Sequence, residues 1–327
     1  MITSPPTYGN RRLGTGDMQP HYAETSVRRA GKVSFFQDDN RSWKGYDQKG
    51  LDTGYYPEPE NFLKQLRRSF ARRLCGDDQM YLMDLLGGNY DDLRVVDELR
   101  REQALFERYA GYRAASLAEL LVVVDETAIA HLTLSSDLQM LNVYQQSIPW
   151  AHCGVPYHVV LIEDAATMDL TPYRLVLLCN SVVATPVVRT LLGRCREAGL
   201  QVLALPDCAV GGADWVWRAP AAPVSWAELG EYAARAGCHR YGTAGERIWR
   251  SPRLLGVHVD AGGAGALRLP PGVRVEEAVL PPVRWTQAGA ELRLEMDQWE
   301  TAIFTLAGSP EHGAGESAHF TTSSRTP

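Results

Sequence analysis

The chain has 327 residues, 45% hydrophobic and 22% charged, with 39 acidic against 33 basic side chains and a formal net charge of −6. That length predicts two or three domains, and that composition excludes a disordered chain. The acidic balance argues against nucleic acid or an anionic membrane as partner, and the longest apolar runs, Leu120 to Val124 and Tyr157 to Ile162, fall far short of the roughly 20 residues a membrane span needs.

In chain order, Met1 to Pro6 lacks the basic start and apolar stretch of a secretory signal, which predicts a cytoplasmic protein unless a signal lies upstream. Residues 1 to 30 read as loop, or as a segment that needs a partner surface. Gly31 to Asp39 has the pattern of a buried strand that delivers polar side chains to a rim. Pro57 to Leu74 reads as an amphipathic helix, with Phe62, Leu66, Phe70 and Leu74 on one face and Lys64, Arg67, Arg68, Arg72 and Arg73 on the others. Gln79 to Leu85 predicts a second strand and Asp91 to Tyr109 a second helix.

From Ser116 the alternation is cleaner. Strands at Leu120 to Val124, Tyr157 to Ile162, Leu175 to Leu178 and Gln201 to Leu205, with helices from about Asp137 to Trp150 and from Thr185 to Ala198, predict a doubly wound, flavodoxin-like parallel sheet. Thr185 caps the second of these helices, Pro186 suits its first turn and Gly199 closes it. Beyond Pro252 five short strands, at Leu254 to Val259, Gly265 to Leu269, Val273 to Val279, Glu291 to Met296 and Thr301 to Leu306, suit a small antiparallel β-sandwich. From Gly308 the tail reads as disordered.

Candidate chemistry is carried by acids at strand ends: Asp38 and Asp39 after the first, Asp84 after the second, Asp125 and Glu126 after the third. In a barrel of parallel strands such positions face the active site; the plainer alternative is that acids end strands and open loops in most proteins. Cys208 follows a strand but lacks a complete G-x-C-x-G elbow. His131, His152, His158 and His258 have no paired spacing, and Cys75, Cys153, Cys179, Cys195, Cys208 and Cys238 form no C-x-x-C, so reduced thiols, structural histidines, no metal and no cofactor are expected. Trp43, Tyr46, Tyr55 and Tyr56 could stack on sugar rings or merely cover a rim.

Several stretches together resemble glycoside hydrolases related to family 42 β-galactosidases. Gly31-Lys32-Val33 through Asp39-Asn40-Arg41-Ser42 is similar to the segment around that family's seventh barrel strand, Leu66 to Ala71 to its "LRREFA" helix, and Tyr81 to Asp92 to its eighth strand and loop. Ala118 to Glu126, Gly154 to Tyr157 and Leu255 to Asp260 continue the resemblance in order. It implies an α/β chain made of a C-terminal barrel remnant with a flexible N-terminus (1–115), a flavodoxin-like domain of the kind that mediates trimers (116–251), a β-sandwich (252–307) and a tail (308–327). It also implies a carbohydrate substrate, a homo-oligomer, catalysis near Gln37, Asp38, Asp39 and Asp84, and substrate contacts from Arg41, Trp43 and Tyr46. Two departures stand out. Gln37 occupies the place of the family's nucleophilic glutamate, and a neutral amide cannot form a glycosyl-enzyme bond. A complete barrel takes about 250 residues, whereas the chain before Ser116 holds two strand-helix units. The sequence therefore predicts either an enzyme piece that needs its missing barrel segment, or a non-catalytic module for self-association and carbohydrate binding.

Overall fold

The computed structural model describes residues 1–6, 11–45, 55–76, 78–85, 87–112, 114–280 and 283–307; Tyr46 and the tail expected from Gly308 lie outside them. The fold combines parallel sheets flanked by helices with two antiparallel sheets at the C-terminal end. Among the described residues no helix is long and apolar enough to cross a membrane.

The first unit is a three-stranded parallel sheet in the order β1 (Ile2–Ser4), β2 (Ser34–Asp38), β5 (Gln79–Leu82). The sequence reading has two strands here and loop before residue 30. The third strand, Ile2–Ser4, is too short for an alternation pattern and is recruited by β2 across the pairs Ile2↔Ser34 and Thr3↔Phe35. Helix α1 (Glu24–Arg29) lies between β1 and β2. After β2 the chain makes a short ribbon of β3 (Arg41–Ser42) with β4 (Tyr55–Tyr56), then α2 (Pro59–Gly76), β5 and α3 (Leu93–Arg108).

Helix α2 organises this half of the molecule. Phe62 and Leu66 pack with Tyr56 and Val95, while Phe70, Leu74 and Cys75 pack against Trp249, Leu254 and Ile303 of the C-terminal sheets. The apolar face of the helix is thus closed: Phe62 and Leu66 are 0% exposed and Phe70 is 3%. The arginines expected on the outer faces are also corrected, because Arg68, Arg72 and Arg73 are buried. Residues 11–24 fold back over the helix and supply most of their partners. Arg68 donates to the carbonyls of Arg12 (3.0 Å) and Gly16 (2.8 Å), Arg72 pairs with Glu24 (2.6 Å) and Asp17, and Arg73 bridges Glu24 (2.7 Å) and Asp78 (3.2 Å). Buried guanidinium groups are tolerable only when paired and hydrogen-bonded in this way.

The second unit is a five-stranded, all-parallel sheet in the order β10 (Val216–Arg218), β9 (Gln201–Ala204), β8 (Leu175–Leu178), β6 (Leu120–Val124), β7 (Tyr157–Leu161). In chain order this is the 2-1-3-4-5 arrangement of flavodoxin-like folds. Apolar clusters cover both faces, which is why strands such as Leu120–Val124 and Leu175–Leu178 read as unbroken apolar runs. The short α5 (Ile162–Ala165) follows β7 directly, and α6 (Pro186–Glu197) is capped by Thr185, whose hydroxyl accepts from the Val188 amide. α7 (Trp226–Arg235) has a reciprocal capping box between Ser225 and Glu228. The single helix expected from Asp137 to Trp150 is instead a π-helical segment (Met140–Gln145) followed by α4 (Ser147–His152). At the strand ends Asn180 ties β6 to β8, its side chain exchanging bonds with the Asp125 amide (2.8 Å) and carbonyl (2.9 Å).

The third unit stacks a four-stranded antiparallel sheet, β11 (Arg247–Arg250), β12 (Leu254–His258), β17 (Thr301–Ala307) and β14 (Arg274–Ala278), against a three-stranded one, β13 (Gly263–Arg268), β16 (Glu291–Met296) and β15 (Arg284–Ala288). Leu255, Val257, Leu292, Leu294 and Phe304 fill the space between them. The opposite side of the larger sheet receives α2. Gly256 permits that approach, since a Cβ there would stand 2.9 Å from Trp249 and 3.1 Å from the Cys75 sulfur.

Candidate functional site

The alternation of β2 sorts its side chains onto two faces. Ser34, Phe36 and Asp38 point toward α2 and are buried, and the Arg73 guanidinium lies 4.0 Å from the Phe36 ring centroid. Phe35 and Gln37 point to the other face and are half-buried. Register places Gln37 beside Tyr81 of β5, and Thr3 of β1 beside Phe35. The Gln37 carbonyl oxygen accepts from the Tyr81 hydroxyl at 2.6 Å and its amide nitrogen stands 2.8 Å from the Met83 sulfur; the Phe35 and Tyr81 rings are 5.5 Å apart. This face is therefore lined by an aromatic pair, an amide, a thioether and a hydroxyl, and the strand residues upon it include no carboxylate.

The acids singled out from sequence lie around this face rather than on it. Asp38 is fully buried on the helix side, where its carboxylate accepts from the Asn40 side chain (2.5 Å) and from Gln65 of α2 (3.2 Å). Asp39 is buried against Arg11 at 2.7 Å. Burial raises its pKa, the Asp38 charge adds to that, and Arg11 opposes both. Asp84 is exposed at the surface but its carboxylate is spent on a turn, accepting from the Gly88 amide (3.0 Å), the Asn89 amide (3.0 Å) and the Asn89 side chain (2.7 Å). Asn89 in turn accepts from the Ser42 amide at 3.0 Å, joining the turn to β3. Arg41 contributes a buried Nε without a hydrogen-bond partner. Trp43 packs edge-on against Phe62, with Arg94 5.0 Å from its ring centroid. Tyr56 is buried and donates to the Arg11 carbonyl, so it fills rather than presents.

Glu102 on α3 carries a signal that sequence reasoning did not use, the spacing of Glu98 and Glu102 four residues apart on one helix face. Glu98 is held by Arg67 at 2.9 Å, whereas both Glu102 oxygens are buried without a hydrogen-bond partner. Burial, then Glu98 and Asp38, push its pKa well above the usual carboxylate range.

The remaining candidates are structural. Asp125 accepts from the Thr127 amide (3.0 Å) and hydroxyl (2.7 Å) to cap a short helical turn. The Cys208 thiol is buried against the Leu178 carbonyl, and burial pushes its pKa up to about 12, which removes the thiolate a nucleophile needs. His158 is clamped between Tyr173 (2.8 Å) and Ser116 (2.9 Å), and burial lowers its pKa to about 4. His152 donates from Nε2 to the Thr15 carbonyl at 2.9 Å, and His258 bonds Thr301 at 2.9 Å. Among the described residues no group of His, Cys, Asp and Glu is arranged to hold a metal ion.

No family model matches the chain, and neither does any curated protein. Solved structures do. A β-galactosidase from the psychrophilic Marinomonas ef1 aligns over 92% of this chain with a TM-score of 0.56 at 10% identity. One from Bacillus circulans sp. alkalophilus aligns over 84%, also at 0.56 and 10%. A GH42 β-galactosidase from G. stearothermophilus aligns over 84% at 0.53 and 9%. At such identity the likeness is one of fold. The chain spans 57%, 60% and 54% of the lengths of those three proteins, respectively.

Proposed function

We propose that the chain is part of a β-galactosidase-like glycoside hydrolase acting on carbohydrate, and that it has no hydrolytic activity by itself. The observation that carries this reading is the face bearing Gln37. Three parallel strands with helices behind them form an arc of a (β/α) barrel, and in a barrel the side chains on the inner face and at the C-terminal strand ends meet the substrate. Phe35 and Tyr81 offer rings to the apolar face of a sugar, and Arg41 and Trp43 stand at the rim. Asp38, Asp39 and Asp84 hold the strand ends and loops in place through Gln65, Arg11 and Asn89. Retaining hydrolysis requires two carboxyls about 5 to 5.5 Å apart, and an amide at position 37 supplies neither. The units that would complete the barrel and bring a proton donor are then a necessary partner, as a further segment or as another chain.

The purified chain should not release phenol from an aryl β-galactoside above the uncatalysed rate, and Gln37→Glu alone should not change this, because one carboxylate in an open arc leaves the leaving group unprotonated. Gln37→Glu combined with the remaining barrel units in trans is the combination expected to turn over. Activity in the unmodified chain that disappears in Asp38→Asn or Asp84→Asn would overturn the proposal.

A second reading, a non-catalytic module for self-association, is favoured by one observation. Ile129, Leu134, Met140 and Val183 are exposed, and all lie in the segments that follow the C-terminal ends of β6 and β8. Apolar side chains gathered at one end of a sheet suit a homo-oligomer, with a trimer as the proposed state.

A further inference from the structure

A separate groove of about 510 Å³ opens between the strap formed by residues 19–27 and the parallel sheet, beside the edge strand β7. Its walls come from both units. The strap contributes Tyr22 and Val27, the ends of β6 and β7 contribute Val124 and Leu161, and the π-helical segment contributes Val143 and Tyr144. The strap is fastened on both sides of the groove: Gln19 accepts from the Trp150 indole at 2.8 Å, and the Ser26 hydroxyl accepts from the Leu161 amide at 2.9 Å. π-Helical turns are rare and are found disproportionately at functional sites, because the wider turn gives up regular hydrogen bonding to re-aim side chains. Here the turn directs Val143 and Tyr144 into the groove.

Size and lining together define an occupant. The volume falls within the roughly 300 to 1,000 Å³ of small-molecule sites. Among the described residues that line it there is no Asp, Glu, Lys or Arg, and the one histidine, His21, has its Nε2 turned to the Pro6 carbonyl at 2.9 Å. An ion entering such a lining would lose its hydration and meet no carboxylate, ammonium or guanidinium as countercharge, at a cost that a neutral molecule escapes. The aromatic walls of Tyr22, Tyr144 and Trp150 favour a ring over an aliphatic chain of equal area, and the lining adds the amide of Gln139, whose oxygen accepts from Asn180 at 3.2 Å, and the hydroxyl of Ser147, which donates to the Tyr144 carbonyl at 2.6 Å. We infer that this groove is a binding site for a neutral molecule that carries an aromatic ring and a hydroxyl group. The inference is independent of the glycoside reading, since no residue of the Gln37 face lines the groove.

The test is a series of isosteric probes on the full chain at neutral pH, followed by ligand-observed NMR titration: benzyl alcohol, benzoate and benzylamine. Benzyl alcohol should bind saturably, and both charged probes at least about tenfold more weakly. Val143→Trp and Val27→Trp, which fill the groove from opposite walls, should each abolish benzyl alcohol binding while leaving the near-ultraviolet circular dichroism of the rest of the chain native-like. The two variants are made separately, so that if one fails to fold the other still decides. Equal binding of all three probes, absence of saturable benzyl alcohol binding, or binding that survives in a folded Trp variant would each overturn the assignment.

Discussion

Glu102 illustrates what a single buried carboxyl contributes. It is 3% exposed, and the charges of Glu98, Asp38, Arg67 and Arg101 all act on it. Burial acts first to raise its pKa, the two acids add to this, and the two arginines oppose it. A folded-state value above the unfolded one means that the contribution to stability is complete below the ordinary carboxylate value of 4.5, and is lost as pH rises toward the folded value. Glu102→Gln keeps the shape and removes the titration. Chemical denaturation should therefore give nearly equal stabilities for the two proteins at pH 4, and a variant clearly the more stable of the two at pH 8. A constant difference across that range would show that Glu102 titrates in the fold as it does in the unfolded chain. Gln37 and Asp38 make a related point about legibility. Their identities were readable, but their orientations follow from the pleat of β2 and from Gln65, and only the fold assigns Gln37 to the open face and Asp38 to the helix.

At the scale of elements, what was legible is what a local pattern encodes. The apolar run Leu120–Val124 and the Thr185-Pro186 helix start appear where burial and capping rules put them. α7 was missed although its signal was present, Ser225 followed three residues later by Glu228. β1, β10 and β11 have three or four residues each and owe their form to neighbouring strands, so a single sequence offers little periodicity to find them. The buried arginines of α2 were illegible for a different reason. An amphipathic pattern assigns charge to solvent, and most of the partners that overturn this lie more than 40 residues away in sequence, as in Arg72 with Asp17 and Glu24. Arg72→Met should thus cost about 3 to 5 kcal/mol in urea denaturation, because Asp17 is left buried without its countercharge. Arg100→Met provides the contrast. Its ion pair with Asp97 has side chains 71% and 70% exposed, and its loss should change stability by less than about 0.5 kcal/mol. Similar costs for the two substitutions would mean that the segment of residues 11–24 does not hold α2 in solution.

At the scale of the whole molecule, burial is completed from within on most surfaces; of the large apolar side chains left exposed, Met1, Val33 and Leu93 are scattered over the first unit, and the other four gather in one place. α2 is enclosed by residues 11–24, the ribbon of β3 and β4, and the larger antiparallel sheet. The edge strand β7 is covered by α1, which prevents the open-edge pairing that exposed strands invite. The C-terminal end of the five-stranded sheet has no such cover: Leu134 is 110% exposed, Ile129 68%, Met140 49% and Val183 39%. Removing apolar side chains of this size from water contributes roughly 1.5 to 3 kcal/mol each when burial is complete, so a patch of this kind can sustain association once rotational and translational losses are met. A closed ring of three differs from a dimer in how the patch is used, since in a ring it must meet a different surface of the neighbour, whereas across a two-fold axis it would meet itself. Light scattering at micromolar concentration should give an assembly of three chain masses, and the double substitution Leu134→Glu with Val183→Glu should shift it to one chain mass. Both positions are exposed in the single chain, so the thermal midpoint measured on the dissociated variant should remain cooperative rather than collapse. A unit-mass particle for the unmodified chain would remove self-association as a role for this end of the sheet, and a trimer indifferent to both charges would move the interface elsewhere on the molecule.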